Sequence, residues 1–74
     1  NNMNLQDDLS TLKTHDSFIR FLRVVNELRE ETISELHEAS SDKIQQLSGR
    51  ILSYDQILQL SDFNSIRGIP LQND

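Results

Sequence analysis

Apolar residues recur along most of this chain at alternating spacings of three and four, the repeat of one helical face. In the first segment Leu5, Leu9 and Leu12 share a side, and Asn4 stands where a capping side chain accepts from the first free amides. Asp7 and Asp8 fall near the positive end of the helix dipole. The pattern predicts a short helix over 4–13. A helix of this length is marginal alone, so it is expected to form by docking its leucines.

The strongest repeat begins at Phe18. At about 100° per residue, Phe18, Phe21, Leu22, Val25, Leu28, Thr32, Ile33, Leu36 and Ala39 share one arc. Asp16 fits the N-cap, and the predicted helix covers 17–39. Ser40, Ser41 and Asp42 read as an end and a new start. A second helix is predicted over 42–60, opened by a capping box of Asp42 and Gln45. Its apolar residues Ile44, Leu47, Ile51, Tyr54 and Leu58 form the narrow seam of a coiled coil. So short a link between two helices requires antiparallel neighbours. One uninterrupted helix is the rival reading, because neither Gly nor Pro marks the turn, but it leaves two apolar stripes wet.

Beyond Ser61 the repeat stops. Phe63, Ile66, Ile69 and Leu71 are scattered among polar residues, Gly68 and Pro70, and Pro70 biases Ile69 toward an extended backbone. The segment 61–74 reads as a tail whose apolar residues either fold back or enter a partner. The expected fold is therefore all-α: one domain, an antiparallel two-helix hairpin with a short N-terminal helix and an extended C-terminal tail.

Composition sharpens the need for help from outside. The chain has 74 residues, 35% of them hydrophobic, and no Cys. A domain this small buries only about 60% of the surface its unfolded form exposes, so its stability is marginal. Small scaffolds compensate with a disulfide, a metal or a partner. Without Cys the disulfide and the thiolate zinc site are excluded, and two isolated His make a poor metal site. A protein partner is what remains, and no cofactor is expected.

Charge removes other partners. Seven Lys and Arg stand against 12 Asp and Glu, a formal charge of -5. Such a chain is not expected to bind nucleic acid or an anionic membrane, since Lys and Arg supply the affinity for phosphates. Apolar runs no longer than two residues give no bilayer span, and no basic-then-apolar leader is visible.

Catalytic readings fail on spacing. Glu27, Glu30, Glu31, Glu35 and Glu38 share one helix, as magnesium-binding glutamates do in helical nucleotide pyrophosphatases. Those enzymes need a second carboxylate set on the next helix, and here no Glu follows Glu38 and Asp55 stands alone. A metal-dependent phosphohydrolase would have to assemble its site across subunits. His37-Glu38 starts like a zinc-protease motif but reaches Ser41 where the second imidazole belongs. Neither His is placed to activate a Ser or Thr, and Gly49 and Gly68 form no phosphate loop. The chain is expected not to be an enzyme.

Two features stand out. Along the long helix Arg20 and Arg23 lie early and Glu35 and Glu38 late, which opposes the helix dipole. More telling are apolar residues outside the expected core faces: Ile19 and Val24 on the long helix, and Leu52, Ile57 and Leu60 on the second. With Phe63, Ile66, Ile69 and Leu71 of the tail they exceed what two helices can bury. Gly49, off the seam, costs roughly 1 kcal/mol against Ala unless another backbone approaches it closely. Arg29 falls inside the apolar arc, where its stem can pack while its head reaches solvent or an acidic partner. These ten apolar and basic positions are the candidate partner-binding residues.

The order Phe18-x-x-Phe21-Leu22, Arg29-Glu30-Glu31-x-Ile33-x-x-Leu36, Ile44-x-x-Leu47-x-Gly49-Arg50-Ile51 and Ile57-Leu58 resembles small helical-hairpin proteins of tailed bacteriophages, short-tailed ones in particular. The resemblance covers about forty residues, rests mainly on Leu47-x-Gly49-Arg50-Ile51, and brings no catalytic residue with it. It implies an accessory or virion protein, found in the particle or the host cytoplasm, whose partners are portal, capsid or tail proteins. The expected function is thus a structural or assembly role, in many symmetric copies or a ring. The alternative is a soluble regulatory or inhibitory module acting as a homodimeric four-helix bundle.

Overall fold

A computed structural model describes residues 4–71. Among them the protein is all-helical: α1 (Leu5–Leu12), α2 (Asp16–His37), α3 (Ser41–Leu60) and a 3-10 turn at Phe63–Ser65.

Each boundary has a local cause. Asn4 caps α1, its side-chain oxygen accepting from the Asp7 amide at 3.2 Å. His15, not Asp16, is the residue before α2, and no side chain caps that end; Asp16 instead sits in the first turn, facing the positive end of the dipole. The chain leaves α2 at Glu38 and re-enters a helix after Ser40, whose backbone is extended, so one uninterrupted helix does not form. Ser40 precedes α3 and donates its hydroxyl hydrogen to the Asp42 carboxylate, which replaces the expected capping box.

Helices α2 and α3 pack on each other like the arms of a hairpin. Arg29 meets Asp55 across the pair, while Phe18 and Leu58 lie against one shared cluster. Residues early in α2 thus face residues late in α3. Val25 and Leu47 are buried in this layer, together with Thr32, whose hydroxyl donates to the Leu28 carbonyl at 2.7 Å and so costs no unmet hydrogen bond.

The tail departs most from expectation. Asp62 adopts a left-handed conformation, φ 55 and ψ 44, directly after α3. Asp tolerates this region better than most residues, and it turns the chain back at a helix end. The segment 62–71 is therefore not an extended arm. Phe63, Ile66 and Leu71 are buried with Ile19 and Leu22 of α2, and Phe18 and Leu58 close the cluster's edge. Arg23 fixes the return, donating from Nη2 to the carbonyls of Arg67, at 3.2 Å, and Ile69. Residues 72–74 of the expected tail lie outside the described residues.

This second covering explains which face of α2 is dry. A wheel built for one neighbour leaves Ile19 outside, but the returning segment covers that side and Ile19 is 2% exposed. The buried sector is rotated accordingly, and Phe21 and Leu28, expected inside, face solvent at 58% and 38%. Helix α1 fully buries no residue: Leu9 is half-buried and Leu5 and Leu12 are exposed, so its leucines dock only in part. The radius of gyration, 14.9 Å, exceeds the roughly 11 Å of a compact domain of this length.

Candidate functional site

The candidate partner-binding residues divide into two sets. Ile19, Phe63, Ile66 and Leu71 are core, each at most 8% exposed. None of them can offer a surface to a partner in this conformation, and their assignment to an interface is corrected. Their burial follows from the Asp62 turn, which no periodicity of the flanking helices announces. Val24, Leu52, Ile57, Leu60 and Ile69 are on the surface.

Arg29 is held inside the chain. Its Nε donates to Asp55 of α3, and its Nη1 lies 3.2 Å from Glu30. The acid expected on a partner is therefore supplied by the neighbouring helix. The pair borders a cleft of about 370 Å³, lined also by Asn26, Gln59 and Arg67. Arg67 is likewise engaged: its guanidinium lies 5.3 Å from the Phe63 ring centroid, and Nη1 donates to Asn64 at 3.0 Å. The cations of this cleft are thus already matched by groups of the same chain. Among the described residues no three His, Asp or Glu gather as a metal site would require, and no helix is long and apolar enough to cross a membrane.

Two polar contacts that spacing did not suggest hold the C-terminal segment. Lys13, following α1, pairs with Asp62 at 2.8 Å and reaches Ser65. That hydrogen bond, then the one from Ser65, holds the Asp62 carboxyl below the usual aspartate range. Arg23 is the second contact. At the other end, Arg50 is pushed further up by its hydrogen bond with Tyr54.

The surface set has its own geometry. Leu52 and Leu60, 62% and 65% exposed, flank the side of α3 turned away from α2, with Ile57 beside them. Gly49 lies on that side, and a Cβ placed there meets nothing within 4 Å. Among the described residues no backbone outside its own helix approaches it closely. On α2, Phe21, Val24 and Leu28 form a separate exposed stripe. Among the described residues ten large hydrophobic residues are exposed and seven are buried, which leaves much apolar surface for a chain of this size.

Compared with known proteins, the chain matches no family model, no curated protein and no solved structure. The surface itself is what any functional reading has to rest on.

Proposed function

We propose that this chain is a non-enzymatic structural or assembly protein that docks on a larger protein assembly through the outer side of α3. The observation that carries the reading is the exposure of Leu52, Ile57 and Leu60 along the second half of α3. Burying such side chains contributes about 1.5–3 kcal/mol each when fully covered, a large gain for a domain with so small a core. The folded-back segment 62–71 acts in this reading as a lid on the core, and only Ile69 remains as an apolar contact there. A phage particle, with its portal, capsid or tail proteins and many equivalent positions, is the setting that the sequence resemblance suggests.

The test uses purified particles of a phage that encodes the chain. Mass spectrometry should find the chain in them, and the double variant Leu52→Glu with Leu60→Glu should leave the particles while keeping its helix content by circular dichroism. Particles free of the wild-type chain, or retention of the folded double variant, would sink this reading.

A further inference from the structure

The exposed stripe of α2 carries information that the docking face of α3 does not. Ser17, Phe21, Val24, Leu28, Glu31 and Glu35 follow one another at spacings of four and three along the whole helix. This is a heptad seam, apolar in its middle and polar at its ends. It lies on the surface, with Phe21, Val24 and Leu28 at 58%, 52% and 38% exposure. On one flank stand Arg20 and Glu27, a heptad apart; the other flank, with Phe18 and Val25, is turned to the core.

Arg20 and Glu27 share an electrostatic condition. Among the described residues neither has an ion pair, and Arg20 Nη1 is shielded from water with no acceptor. A shielded donor without an acceptor loses the free energy of an unmade hydrogen bond, and a carboxylate recovers that loss only if the guanidinium swings out to meet it. Within one helix the two residues are two turns apart and do not meet.

We propose that two copies of this chain pair antiparallel through the α2 seam. With a two-fold axis between Leu22 and Arg23, Phe21 packs on Val24 of the second copy, and the symmetric contact repeats it. The same register sets Arg20 beside Glu27 of the second copy, twice. The order Arg then Glu, one heptad apart, is complementary to its own reverse, which is what an isologous contact demands. A parallel pairing sets the Arg20 and Glu27 flank of each helix against the Phe18 and Val25 flank of the other, so neither charge meets its opposite. That self-complementarity is what selects a second copy as the occupant. The pairing uses neither Leu52 nor Leu60, and so stands apart from docking through α3.

The experiment is sedimentation equilibrium of the full 74-residue chain from micromolar to millimolar concentration, with circular dichroism as the check on folding. The expected result is a reversible monomer–dimer equilibrium. Val24→Glu, or Phe21→Ser as a second surface variant, leaves a folded monomer. Arg20→Glu and Glu27→Arg each weaken the dimer by about tenfold, and the double variant returns it to within about threefold of wild type. A monomer at every concentration overturns the proposal. So does a dimer unmoved by Val24→Glu, a dimer lost with Leu52→Glu and Leu60→Glu, or a double charge reversal no better than its single parents.

Discussion

Lys13 Nζ lies 2.8 Å from an Asp62 carboxylate oxygen, joining the residue after α1 to the residue where the chain turns back over the core. The two are 49 positions apart in sequence. The Asp62 carboxyl is held below its usual range in the folded protein, chiefly by the Lys13 hydrogen bond. A depressed native pKa stabilises the fold above the usual aspartate range, and the contribution is lost as pH falls from that range through the lowered value. Thermal melts across acid pH should therefore show a decline that Asp62→Asn flattens. Lys13→Met should flatten it as well, since it removes the same partner.

Removing Phe63 should do far more. Its ring is 4% exposed and shares a cluster with Ile19, Leu22, Ile66 and Leu71. Phe63→Ala should cost about 3–5 kcal/mol, enough to abolish cooperative melting in a marginal domain. A variant with an unchanged melting curve would show that the returning segment does not cover the core in solution.

The Arg29–Asp55 contact predicts a modest coupling between helices. Both side chains are about a third exposed, at 30% and 32%, so solvent screens the pair. A double-mutant cycle on Arg29→Met and Asp55→Asn, read by urea unfolding, should give a coupling of about 0.5–1 kcal/mol. Arg29→Ala should cost more than Arg29→Met, because the Arg29 side chain is only 30% exposed and Met keeps most of its apolar stem.

Gly49 separates the free chain from the docked one. A Cβ there meets nothing within 4 Å, so Gly49→Ala should stabilise the free protein by roughly 0.5–1 kcal/mol through helix propensity alone. If a partner's backbone rests on this side of α3, the same substitution should weaken binding while the melting temperature rises.

What was legible in the sequence is what depends on near neighbours. Spacings of three and four set out the three helices to within a residue or two, and Ser40–Ser41 marked the break. The face of each helix was legible only where a single neighbour covers it. Ile19 was misplaced and Phe21 and Leu28 were expected inside because the wheel of α2 holds no record of the returning segment. That return depends on a left-handed Asp62 and on two contacts between residues more than 40 positions apart, Arg23 with main-chain carbonyls and Lys13 with Asp62. Asp followed by a stray aromatic just past the last helix was the available hint. On α3, Leu52, Ile57 and Leu60 have no second covering to draw them in and stay exposed.

Helix α1 carries a consequence of its own. Eight residues are ordered there with Leu5 and Leu12 left in water, and ordering a backbone costs about 1–2 kcal/mol per residue before any burial offsets it. Such a segment sits at the low end of local stability and opens more readily than the pair beside it. Whatever covers those leucines also completes the ordering, so affinity and helicity in this stretch rise together. The amide exchange rates of residues 5–12 in the free protein should therefore exceed those of α2 and α3.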